Sequence, residues 1–230
     1  MKTICIHQPD FAPYIGFFDR LLNSDHFVIL DNVQFIRRGW HHRDKIKSPK
    51  GASWLSLSVQ KGNYQQIISD VKLVDEKRWR EKNLALLKDC YANAPFFDMI
   101  YPEIESIYRA KHRRLIDFNL AFLEMSFRIL GIKIKTTLSS KYLISSSRSR
   151  RLLDLVLAVD GKSYLTGLGS REYLDESLFI ENGIEVIWQE FKHPVYPQLY
   201  GNFEPMLSCL DLFFNCGTDS LSMIRGQLID

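Results

Sequence analysis

Two short apolar segments, residues 3–6 and 27–30, each run straight into a polar cluster, and that arrangement restricts the folds open to the chain. The first ends in His7-Gln8-Pro9-Asp10 and the second in Asp31, with Gln34 just beyond. A short helical stretch over residues 17–22 joins them. Strand, helix and strand in that order imply neighbouring parallel strands, and polar groups then gather where both strands end. In open parallel sheets that edge is where ligands bind. A cationic and aromatic run follows: Arg37, Arg38, Trp40, His41, His42, Arg43, Lys45 and Lys47.

The rest of the chain continues the alternation. Residues 53–59 alternate as a strand, and residues 71–74 read as a further short one. From residue 77 the period becomes helical, stopping at Pro95, and a long helical section covers about 98–130. Its second half, LIDFNLAFLEMSFRIL, is apolar on most sides, so it reads as a central buried helix in which Asn119 needs a partner. A strand at 133–138, a helix at 150–159, a strand at 162–167, turns around 173–179, a strand at 184–188 and a helix at 205–215 complete the pattern. The expectation is an α/β fold: one domain over 1–230 with a mainly parallel, Rossmann-like sheet, helices on both faces, and residues 77–130 as a helical insertion or cap.

Composition limits the function. The net charge is only +3 and the basic residues are spread among 27 acidic ones, which argues against nucleic acid as a partner. RNA binding through residues 37–50 stands as a minor alternative. Four cysteines without a CxxC pair suit a reducing compartment, and the six histidines lack ligand spacing, so no metal site is expected. The N-terminal apolar run is too short for a signal peptide and no stretch approaches a membrane span, so a cytoplasmic protein is expected. No glycine-loop, Asp-x-Asp or Gly-x-Ser-x-Gly motif appears, and no cofactor is identifiable.

Candidate site residues follow from position. His7, at a strand end, can act as a base or be satisfied by backbone carbonyls. Asp31 can serve as a catalytic or sugar-binding carboxylate or cap the following turn. Arg43, with Arg37 near it, can grip a diphosphate or form a surface ion pair. His193, Tyr196 and Gln198 lie in a proline-braced loop, where a site's polar groups are held still or a stiff turn packs on the core.

The first turn is similar to that of the HIGH-type nucleotidylyl transferases, and ISSSRSR at 144–150 is similar to their phosphate-binding segment. When Gly16 is placed on that family's glycine, however, Tyr14 and Phe17 stand where the two histidines belong. A fuller resemblance is carried by HQPDFAPYIGFFD, by ILDNVQF with Arg43 downstream, by YLTGLGSREYLD at 164–175, and by FKHPVYPQLYGNFEPMLSCLDLFFNCG at 191–217. On these blocks the chain resembles the WbqC-like protein family, whose members are typically encoded among bacterial surface-polysaccharide (O-antigen) genes. The resemblance implies a pathway more than a reaction. It places Gln8, Gln34, Arg43, Tyr173, His193, Tyr196 and Gln198 in patterned positions. The resulting expectation is a transferase acting on a nucleotide-linked amino sugar, passing an acyl or related group to the sugar amine from a donor that is not specified. His7, Asp31 and His193 would be catalytic; Gln8, Gln34, Arg37, Arg43, Tyr173, Tyr196 and Gln198 would bind substrate. The alternative is a non-catalytic nucleotide-sugar-binding or assembly protein.

Overall fold

The computed structural model describes residues 1–226. The chain divides into two compact units. The first comprises Met1–Gln8, Gly16–Asn32 and Lys133–Lys192; the second comprises Pro9–Ile15, Val33–Ile132 and His193 onward.

The first unit is built on five strands: β1 (Thr3–His7), β2 (His26–Ile29), β5 (Lys135–Leu138), β6 (Ser163–Thr166) and β7 (Glu185–Trp188). They lie in the order β5-β2-β1-β6-β7, and every pairing is parallel. The expectation of an α/β protein with a mainly parallel sheet holds. The strands show why: β2 and β6 are buried at every position, as strands covered on both faces must be. The edge strand β5 exposes Lys135 and Thr136, a common way of blunting an edge. Helices α1 (Ile15–Leu22), α5 (Arg148–Ala158) and α6 (Glu176–Glu181) connect the strands. The core joins Ile4, Ile6, Val28 and Tyr164 from the sheet to Leu153, Leu155, Val156 and Phe179 from the helices. The order of strand neighbours reverses between β1 and β6: from β1 the chain passes on one side to β2, and later to β6 on the other.

The second unit holds the antiparallel hairpin β3 (Arg43–Ser48) and β4 (Gly51–Ser56), and the helices α2 (Arg78–Tyr91), α3 (Phe97–Arg109), α4 (Leu115–Leu130), α7 (Cys209–Cys216) and α8 (Ser220–Ile224). The long helical section expected over 98–130 consists of two helices, α3 and α4. Residues 110–114 leave helical geometry because their backbone pairs elsewhere: Leu73 N donates to Arg113 O at 2.9 Å and Leu115 N to Val71 O at 2.8 Å. Residues 71–74 make isolated bridges to Val59 and Arg114 and form no named strand. The hairpin strand β3 was not expected, because its buried face carries Asp44 beside Ile46 and its apolar alternation is therefore hidden. Helix α4 is buried along most of its length, as expected, and Gly131 at φ 61° closes it in the left-handed conformation that glycine adopts without strain. All four cysteines are buried and free. Among the described residues no helix is long and apolar enough to cross a membrane.

Candidate functional site

In the first unit, the carboxyl ends of the parallel strands gather a set of polar groups. His7 closes β1. Its Nδ1 lies 3.0 Å from the Gln8 carbonyl, which can only accept, so Nδ1 carries the proton and Nε2 is the basic nitrogen. The edge of the ring meets Phe17 at 5.2 Å, which fixes its plane. Asp31, just past β2, is 2% exposed. Its Oδ1 accepts from Ser139 Oγ and from Ser140 N, both at 2.9 Å, which ties the end of β2 to the end of β5. Beside it, Arg151 Nη2 donates to Asn32 Oδ1 at 2.6 Å. Past β6, Thr166 Oγ1 donates to Ser170 Oγ at 3.1 Å, and Ser170 lies 2.9 Å from the hydroxyl of the exposed Tyr173.

Arg20, on α1, is the residue that sequence reasoning missed. It is 5% exposed. Its Nη1 donates to Gln189 Oε1 at 2.9 Å, and Gln189 Nε2 in turn donates to Gly16 O at 2.8 Å and Asp19 Oδ2 at 2.6 Å. No carboxylate among the described residues pairs with the guanidinium. A Cβ on Gly167 would stand 2.7 Å from Arg20 Nη1, so the absence of a side chain there makes room for the cation. Burial pushes the nearby Cys5 thiol up to about 11, opposed by Arg20, so it stays protonated and inert. The signal in the sequence is the single arginine of a short amphipathic helix, Phe17-Phe18-Asp19-Arg20-Leu21-Leu22.

The second unit contains the remaining candidates. Arg43 lies over the Trp54 ring at 4.1 Å, and its Nε donates to the Arg38 carbonyl at 3.1 Å. Arg37 is exposed. Gln34 Nε2 donates to Tyr64 O at 2.7 Å. His193 has its Nδ1 proton on Pro194 O at 2.9 Å, and its Nε2 accepts from Met206 N at 3.2 Å. Burial lowers the pKa of that ring, so it is neutral and braces the loop. Tyr196 is 4% exposed and donates its hydroxyl to Asp211 Oδ2 at 3.0 Å; Tyr91 donates to Asp211 Oδ1 at 2.9 Å. Gln198 receives Lys47 Nζ at 2.9 Å and exchanges two bonds with the Glu204 backbone. The polar atoms of the buried Tyr196 and the half-buried Gln198 are thus used in internal hydrogen bonds. Among the described residues, no group of three or more His, Cys, Asp or Glu side chains is arranged to hold a metal ion.

A second polar cluster surrounds the segment 9–11. Asn119 Nδ2 donates to Pro9 O at 2.7 Å and to His41 O at 2.8 Å, so the two carbonyls are its partners. Phe11 N donates to Trp40 O at 3.0 Å, which clamps the same pair of segments. Asp10 Oδ1 is then 3.9 Å from His41 Nε2. Burial, reinforced by the Asp10 charge, pushes the Asp44 carboxyl up to about 8, and burial lowers His41 to about 4. At neutral pH both groups are therefore uncharged, which lets them sit in the core.

No solved structure matches the chain. It is 32% identical over 228 residues to the uncharacterized protein Rv1507c of Mycobacterium tuberculosis (strain ATCC 25618 / H37Rv), and the match covers 98% of each chain. The sequence pattern of the WbqC-like protein family matches residues 8–223. With agreement over that length, the chain belongs to the WbqC-like protein family.

Proposed function

We propose that the chain is a cytoplasmic transferase of bacterial surface-polysaccharide (O-antigen) assembly, acting on a nucleotide-linked amino sugar. The carrying observation is Arg20, a buried guanidinium with no carboxylate partner among the described residues, lying beside Gly167 just past β6, the strand that flanks the reversal of strand order at β1. In a Rossmann-like sheet with helices on both faces, that point is the crevice in which nucleotides bind. A buried cation without a counter-charge is costly, and a diphosphate supplies the missing charge in a bidentate geometry. Gln8 and Tyr173 would contact the sugar or the base. His7, at the end of β1, would take the proton, while His193 braces its own loop. In the transfer, the sugar amine attacks the carbonyl of an activated acyl donor. The new N–C bond forms as the donor's leaving group departs with its electron pair, and the amine proton passes to His7 Nε2. Asp31 would hold the ends of β2 and β5 at the spacing the sugar needs.

The test is incubation with a panel of nucleotide-linked amino sugars and acyl donors, with products read by mass, alongside ligand-induced thermal shifts. A shift that Arg20→Gln removes, and a mass gain that His7→Ala removes, are expected. Binding without any product would leave a nucleotide-sugar-holding protein. The absence of any shift across the panel would overturn the reading.

A further inference from the structure

The hairpin of the second unit carries an aromatic and cationic surface that the proposed transfer does not use. Its cross-strand pairs Arg43–Ser56 and Lys45–Trp54 share one face, while Asp44, Ile46 and Leu55 point the other way and are buried. On the open face Trp54 is 43% exposed, and Trp40, from the preceding turn, is 51% exposed. Their ring centres are 5.7 Å apart and the planes meet at 37°. The guanidinium of Arg43 covers Trp54 and is itself bonded to the Arg38 carbonyl, while the Lys45 ammonium lies 5.4 Å from the same ring. Arg38 holds its carbonyl there in the left-handed region, at φ 63°, a conformation unfavourable for a residue with a side chain. Arg37, Arg38 and Lys45 make no ion pair with any described carboxylate.

Two adjacent indoles left half-exposed among uncompensated cations are unusual on a folded surface, and such patches mark binding sites. We infer that this face binds an acidic saccharide. The C–H face of a pyranose ring presents slightly positive hydrogens, which suit the negative face of an indole. A carboxylate on the same sugar suits Arg37 and Lys45. A flat base fits less well, because the tilted indoles form no parallel-walled slot.

The experiment is titration of the intact protein, followed by tryptophan fluorescence, with trigalacturonic acid, neutral maltotriose and uridine monophosphate. Saturable quenching by trigalacturonic acid is expected, weakening at higher salt. Trp40→Ala should weaken it by about tenfold, and Trp40→Phe should restore most of the affinity. Replacing this side chain leaves the Phe11–Trp40 backbone bond intact. Lys45→Gln should weaken the acidic trisaccharide by about threefold and leave maltotriose unchanged. No saturable quenching, an affinity unaltered in Trp40→Ala, maltotriose binding as tightly as trigalacturonic acid, or tighter binding of uridine monophosphate that Trp40→Ala also weakens would each overturn the assignment. None of these results depends on whether nucleotide sugars bind at Arg20.

Discussion

At the scale of single residues, the most informative groups are polar ones placed where the sequence gives little warning. Burial pushes the Asp44 carboxyl up to about 8 in the folded chain, from its ordinary value of 3.8. Between those values the unfolded state releases a proton that the folded state retains, so this group's contribution to stability falls as pH rises from about 4 to about 8 and is level above that. Asp44→Asn keeps the acceptor for the Lys45 amide and removes the titration. Urea unfolding at pH 5 and at pH 8 should show the variant gaining a few kcal/mol relative to the parent chain at the higher pH; parallel changes in the two proteins would refute the assignment. Asn119 behaves differently. Its need for a partner could be read from a polar residue in an apolar helix, but its partners could not, because Pro9 and His41 lie far away in sequence. Asn119→Leu strands two buried carbonyls and should cost about 2–4 kcal/mol in urea unfolding. Arg20 escaped notice because one arginine in a short amphipathic helix is ordinary in sequence. Only burial and the gap at Gly167 single it out. Gly167→Ala should displace its guanidinium and weaken nucleotide-sugar binding by about tenfold, read by thermal shift against ligand concentration.

At the scale of elements, the inner strands of the parallel sheet were legible because they are short runs, apolar at most positions and bounded by polar residues, and burial on both faces favours that composition. The β3 strand and the break between α3 and α4 were not. In β3 the buried Asp44 hides the apolar alternation, and at the break between the helices the backbone bonds to residues 71–73, which local periodicity does not register. The join between α5 and β6 gives a sharp test of packing. A Cβ on Gly161 would fall 2.4 Å from Ile4 Cγ1, 2.7 Å from Val156 Cγ1 and 2.9 Å from the Val156 carbonyl. The side chains belong to the core and the carbonyl to a helix, so none can move far. Gly161→Ala is expected to destabilise by about 1–3 kcal/mol, measured by the urea midpoint at constant slope. The candidate site divides along the same line. His7 and Asp31 could be named because strand ends are visible in sequence, whereas the bonds that engage Tyr196 with Asp211 and Gln198 with Lys47 are tertiary.

At the scale of the whole molecule, the chain path couples the two units whatever their contacts. Neither unit is continuous: the stretch Val33–Ile132 departs after β2 and returns before β5, and those two strands pair directly in the first unit's sheet. While the second unit is folded, the ends of that stretch are constrained by its structure. If it unfolds alone, β2 and β5 must stay paired across a flexible loop of ~100 residues, whose closure costs about 4 kcal/mol. Strand β5 has little to set against that cost, being an edge strand of four residues with two exposed side chains. Loss of the second unit should therefore loosen β5 first and then the sheet behind it. Concerted unfolding is the expected result. It can be read with single-tryptophan variants that retain Trp188 in the first unit or Trp79 in the second, and the two urea curves should share a midpoint. Separate midpoints would mean that the sheet survives the loss of its inserted segment, and that the closure cost is outweighed by the packing of β1, β2, β6 and β7.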